Sequence, residues 1–142
     1  MGNISRLTDI EIMIMKVLWE HEDGLTIQEI SSCIEEKKMS VASVGQAIKH
    51  MTAKGAVKVS DYVQVSNVYA RKFSANFGQE EFLAAEFQRL QKSVFGNKKM
   101  HTAGITATFL YNSDDEELEL DEIDELERII SQKKKKVKER KK

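Results

Sequence analysis

Between Ser40 and Gly55 the chain reads SVASVGQAIKHMTAKG and holds no acidic residue. Wound as a helix, this segment sets Val44, Ile48 and Met51 on one face and Ser43, Gln46, Lys49, His50 and Ala53 on the other. Hydroxyl, amide, imidazole and ammonium groups so spaced suit recognition rather than bond breaking. Glutamine can pair with adenine, and lysine or histidine can approach guanine or phosphate. A helix that is only solvated usually interleaves Glu with Lys, so the absence of acid points to a polyanionic partner. Ser40, Ser43, Gln46, Ala47, Lys49, His50 and Lys54 are the candidate contacts here, joined by Lys58 and Arg71 further along.

Catalytic chemistry has little to work with. His21, His50 and His101 fall in separate elements without Cys or paired carboxylates at ligand spacing, so no metal is expected. A glycine-rich phosphate loop, a nucleophile elbow and an HExxH pattern are all absent from the sequence. The acidic run Asp114 to Glu119 lacks the alternating ligands and turn glycine of a calcium loop and reads as a solvated connector. The single cysteine, Cys33, lies between Ile30 and Ile34 and reads as a half-buried small side chain. The expectation is a non-enzyme without a cofactor.

A net charge of -1 over 142 residues hides a strong segregation. Residues 1–39 carry four Lys/Arg against eight Asp/Glu, and residues 40–73 carry five against Asp61 alone. Residues 114–127 hold ten acids and no base, whereas residues 133–142 hold eight bases and one acid. One basic block thus sits inside the folded part and a second on the tail. No stretch approaches the ~20 apolar residues that span a bilayer, and MGNISRLTDIE lacks a signal-peptide core. A cytoplasmic protein with no membrane insertion is expected.

The elements that position these residues are marked by caps. Thr8 and Glu11 have capping-box spacing, with Leu7 and Ile12 as a hydrophobic staple, and start a helix reaching about His21. Its apolar stripe is Ile10, Ile14, Val17 and Leu18, widened by Met13 and Trp19. After Asp23-Gly24, Thr26 and Glu29 repeat the device and start a second helix ending near Glu36 to Lys38. Ser40 caps the third, which Gly55 stops. Gly45 within it costs about 1 kcal/mol relative to Ala, which suits close approach to DNA or to the second helix.

Residues 56–74, AVKVSDYVQVSNVYARKFS, read as a β-hairpin with its tip near Gln64 to Asn67. Arg71 and Lys72 there face opposite sides of a strand, leaving room for one strong phosphate contact. Helix, helix, helix, hairpin is the order of a winged helix-turn-helix, in which the third helix enters the major groove. Residues 79–95 form another helix with Leu83, Phe87, Leu90 and Val94 at the spacing of an interhelical seam. HTAGITATFLY gives a shorter one, and Leu120 to Ile130 gives a last one with Ile123, Leu126 and Ile130 on one face. Beyond Ser131 the lysine tail has almost nothing apolar to bury and is expected to be disordered. It can contact DNA nonspecifically, neutralise the acidic stretch before it, or keep the chain soluble.

LTDIEIMIMKVLWE, LTIQEI and SVASVGQAIKHMTAKGAVKV together resemble the penicillinase-repressor family (BlaI/MecI/CopY type) of bacterial winged-helix regulators. The similarity rests on Glu11, Ile14-Met15, Leu18-Trp19, Thr26, Glu29-Ile30 and Lys54-Gly55, with Tyr69 where a wing aromatic belongs. It implies a mainly α fold with a small β-wing: a winged domain at 1–76, a helical dimerisation region at 77–132 and the basic tail at 133–142. It also implies a homodimeric repressor on a palindromic double-stranded DNA operator, joined through Leu83, Phe87, Leu90, Val94, Phe109, Ile123, Leu126 and Ile130. One branch of the family is inactivated by a sensor-linked protease, whose cut would fall by position at Thr108-Phe109. Thr108 departs from the usual residue there, the wing lacks a Gly-Arg pair, and the third helix is less basic than is usual. The cysteine-rich terminus of the copper-responsive branch is absent from this sequence.

Two other classes fit the same residues. A ligand-sensing regulator of the multidrug-repressor kind would line a pocket with Phe82, Phe87 and Phe109, and a ligand panel would then shift its melting temperature. A winged-helix protein-interaction module would show no salt-sensitive retention on duplex DNA.

Overall fold

The computed structural model describes residues 3–34, 39–112 and 119–141. Thr8 opens α1 (Asp9–Trp19): its hydroxyl accepts from the Glu11 amide at 3.2 Å, and the Glu11 carboxylate accepts from the Thr8 amide at 2.9 Å. Thr26 and Glu29 reproduce the box at the start of α2 (Ile27–Cys33), with distances of 3.2 and 3.1 Å. Each box satisfies amides that a first helical turn leaves unpaired, and each capping residue contributes about 1 kcal/mol. The Thr26 amide is also the main reason the Glu29 carboxyl lies below its ordinary range.

α2 stops at Cys33, and its expected extension to Glu36–Lys38 falls outside the described residues. Cys33 is exposed rather than half-buried. The helix ends there, and Ile34 leaves it at φ -90 and ψ 84 with its side chain buried, so the two residues part ways. The Ser31 hydroxyl donates to the Met39 carbonyl at 2.7 Å and ties α2 to the approach to α3 (Val41–Ala53).

Three antiparallel strands complete the winged part: β1 (Leu25–Thr26), β2 (Val57–Val65) and β3 (Val68–Ala75), in the order β1-β3-β2. The hairpin turns at Ser66 and Asn67, with Ser66 at φ 57. Leu25 and Thr26 are legible as the staple and cap of α2, and that role hides their pairing with Phe73 and Lys72. The core is Ile14, Met15, Leu18, Ile30, Val44, Ile48, Met51, Val57 and Phe73, each almost completely removed from water and contributing about 1.5–3 kcal/mol. Ile10, expected in the α1 stripe, is exposed. The buried face of α1 is centred between Glu11, Ile14, Met15 and Leu18, about a quarter turn away from Ile10.

Trp19 donates its indole N–H to the Phe77 carbonyl at 2.8 Å. Phe82 of α4 (Gln79–Phe95) stacks on Phe77 at 6.1 Å and meets Trp19 at 5.9 Å. These contacts bind the first turn of α4 to the winged part, and the chain divides into two compact units, residues 1–96 and 97–142. The second unit contains α5 (Thr102–Asn112) and α6 (Leu120–Arg140). The expected disorder of the basic tail is corrected, because residues 133–140 continue α6 as helix. Lys, Arg and Glu are good helix formers, and α6 places acids in its first turn and bases in its last, both favourable to the helix dipole.

Candidate nucleic-acid interface

The buried stripe of α3, Val44, Ile48 and Met51, orients the rest of the helix. Gln46 lies at the middle of the opposite face, with Ala42, Lys49 and Ala53 toward one flank and Ser43 and His50 toward the other. All six are exposed, whereas Ala47 is half-buried against the core at the border of the face. Ser40 accepts from the Ser43 amide at 3.1 Å and is therefore engaged as the cap. The α3 first turn has no acid to offset its positive dipole end, which leaves it suited to a phosphate. Among the described residues a Cβ on Gly45 would meet only the Ile27 side chain, at 3.8 Å, an ordinary contact that does not demand a glycine. Between α3 and the start of α1 lies an open groove of about 300 Å³, walled by Ser43, Gln46, Ala47 and His50 with Ile10 across from them.

A bulge decides what the wing presents. Val59 pairs with Phe73 and Asp61 with Lys72, so Ser60 is the extra residue. From there outward Tyr62 is opposite Arg71 and Gln64 opposite Tyr69, and alternation along β3 places this set on the side of the sheet that carries Phe73. Without the extra residue Asp61 would face Arg71 across the ladder. The bulge instead sends Asp61 to the other side with Lys72. The Arg71 guanidinium lies 5.5 Å from the centre of the Phe73 ring, and both Arg71 and Tyr62 are exposed. Lys58 is exposed on the opposite side of the sheet, paired with Ser74, so the structure separates Lys58 from Arg71.

Lys54 departs most from its expected place. Its ammonium donates to Glu11 Oε1 at 2.6 Å and to the Arg6 carbonyl at 3.2 Å, clamping the end of α3 to the start of α1. Burial raises the Glu11 carboxyl pKa, but the Lys54 hydrogen bond and charge and the Thr8 amide and hydroxyl outweigh it, leaving the carboxyl below its ordinary value. Lys54 thus holds α3 in position, with two of its three ammonium donors committed within the fold. The capping-box reading of Glu11 concealed this pairing, since residues 11 and 54 meet only in the fold.

Sequence reasoning missed Val41 and Tyr62. Val41 is 50% exposed in the first turn of α3, where an apolar side chain can meet a thymine methyl, but its three- and seven-residue spacing to Val44 and Ile48 is that of the buried stripe, so the sequence carried no signal of its exposure. Tyr62 had none, because the bulge inverts its side. Of the candidate seam, Leu83, Phe87, Leu90 and Val94 form an exposed stripe on α4. Ile123 and Ile130 are exposed on α6 with Leu126 half-buried between them, and Thr108 and Phe109 are exposed on α5. Phe82 belongs to the Trp19–Phe77 aromatic cluster, whereas Phe109 lies in the other compact unit. Among the described residues no group of three or more His, Cys, Asp or Glu is placed to hold a metal ion, and no helix is long and apolar enough to cross a membrane.

Three helices, a short first strand and a hairpin closing the sheet as β1-β3-β2 define a winged helix-turn-helix protein. Residues 7–132 match the model of the penicillinase repressor family, and the chain belongs to that family of DNA-binding transcriptional repressors. A search of curated proteins finds no match to the chain.

Proposed function

We propose that the protein represses transcription as a homodimer on a palindromic operator, with α3 reading base edges in the major groove and the wing contacting the flanking backbone. The observation that carries this reading is the acid-free outer face of α3, centred on Gln46, together with a wing that directs Arg71 and Tyr62 to one side and Asp61 to the other. Gln46 would discriminate bases, Lys49 and His50 would reach guanine or phosphate, and Arg71 would set register on the backbone. Ser43 adds a hydroxyl to that surface, and Lys58 contributes on the opposite side of the wing.

The exposed stripe on α4 and the apolar face of α6 support joining of two protomers, which presents two reading heads to a two-fold site. Such a protein works in the cytoplasm beside its DNA. Regulated cleavage at Thr108-Phe109 by a sensor-linked protease fits the exposure of both residues, although the bond lies within α5 and that turn must unwind first.

Selection from a random duplex library at physiological salt tests the reading. A palindrome with half-sites about one or two helical turns apart is expected. Against that site Gln46→Ala with Lys49→Ala should weaken binding about 10- to 100-fold while circular dichroism stays unchanged. Unaltered affinity would count against the assignment.

A further inference from the structure

The basic end of α6 is part of a helix, and this limits what it can neutralise. Asp121, Glu122, Asp124, Glu125 and Glu127 lie within its first eight positions, and Lys133 to Lys136, Lys138 and Arg140 within its last eight. Asp124 and Lys136 are twelve residues apart, about 18 Å along a continuous helix. The two ends of one α6 therefore cannot touch. Near the boundary between the two ends Arg128 pairs with Glu125 one turn away.

Apolar residues run through both halves. Ile123, Ile130 and Val137 recur every seven residues, with Leu126 completing the upper part of the seam. Val137 is only 40% exposed amid the lysines, and a helix end serving DNA alone has no need of an apolar residue at the heptad position. The apolar positions 123, 130 and 137 are symmetric about Ile130, and most of the charge is antisymmetric about it. Reversing the helix about that residue lays Ile123 over Val137 and Glu122, Asp124, Glu125 and Glu127 over Lys138, Lys136, Lys135 and Lys133, with Asp121 over Glu139 as the one mismatch among the acids.

Resting on the homodimer reading above, we infer that α6 pairs antiparallel with α6 of a second copy, about a two-fold axis near Ile130. The turn bearing Glu122, Asp124 and Glu125 then meets the turns bearing the partner's Lys135, the partner's Lys136 and the partner's Lys138, and symmetry repeats the contact. A parallel pair would set five acids against five and a lysine block against its twin, which like-charge repulsion disfavours. The basic end lies beyond residue 132, where the family match ends.

The test uses the full chain with Cys33→Ser as background. Single cysteines at Ser131 and at Glu122 are oxidised separately, and dimerisation is measured by sedimentation for the wild type and for Lys135→Glu/Lys136→Glu/Lys138→Glu. In the antiparallel pair Ser131→Cys cross-links to itself. Glu122→Cys does not, because its two copies are about 24 Å apart, but it does cross-link when mixed with Lys138→Cys. The triple reversal should weaken the dimer at least about tenfold at 0.1 M salt, with the deficit shrinking toward 1 M. Self-cross-linking of Glu122→Cys would overturn the orientation. A dimer indifferent to the reversal would overturn the charge pairing while leaving the homodimer reading intact, and if the same variant lost salt-sensitive DNA retention the basic end would be a DNA arm. A wild-type monomer at every concentration would overturn both readings.

Discussion

Glu11 closes the α1 cap and anchors Lys54, two tasks that need the same ionised carboxylate. Because its folded pKa is depressed, its contribution is present above the unfolded value of about 4.3 and is lost as pH falls through the lower folded value. Glu11→Gln should lower stability by roughly 1–2 kcal/mol at pH 7 and flatten the loss of stability as pH falls below the unfolded value, as urea titrations at neutral and acid pH would show. Two glycines separate backbone strain from steric conflict. Gly55, at φ 77, has open space where a Cβ would sit, so Gly55→Ala carries only the left-handed penalty of about 1–2 kcal/mol. At Gly24, φ 87, a Cβ would also lie 2.5 Å from Ser60 Oγ, 2.9 Å from Ser74 Oγ and 3.1 Å from the Phe73 carbonyl oxygen. The serine hydroxyls can rotate but the carbonyl cannot, so Gly24→Ala should lower the melting temperature clearly more than Gly55→Ala.

Among the elements, the wing depends on one residue's register. Arg71 on the side shared with Tyr62 and Lys72 on the side shared with Asp61 are chemically alike and adjacent, yet only Arg71 lies on the side free of acid. Arg71→Ala should weaken operator binding and reduce the steepness of its salt dependence by about one unit, with Lys72→Ala near wild type. Affinity measured over a salt series distinguishes them, and equal slopes for both variants would remove the bulge from the argument. α3 and its two preceding helices were legible from caps and periodicity because those signals are local. The bulge was not, since an extra residue leaves the β-branched pattern of the strand intact and changes only which partner each residue meets.

The whole molecule joins a compact winged part to helices whose apolar faces are exposed in one chain. Leu90 is 62% exposed on α4, so Leu90→Glu should leave the melting of the winged part nearly unchanged. If that face joins protomers, the same change should lower operator affinity on the order of 100-fold, because coupling of two half-sites is lost. Electrophoretic mobility shift on full and half operators would read the effect, which should vanish on the half site.

The order of the helices and the hairpin, the capping boxes, the outer face of α3 and the apolar stripe of α4 were determined by sequence alone, because each follows from residues within a few positions of one another. The first strand, the inverted side of Tyr62, the engagement of Lys54 by Glu11 and the exposure of Cys33 were decided only by the tertiary structure. The first three join residues distant in the chain, which no local period encodes, and the exposure of Cys33 depends on where the chain leaves its helix to meet the core. The basic tail shows the same division. Its composition is that of a solvated segment, but once α6 carries it onward as helix its charges become fixed in direction and distance, and their reach becomes a matter of geometry.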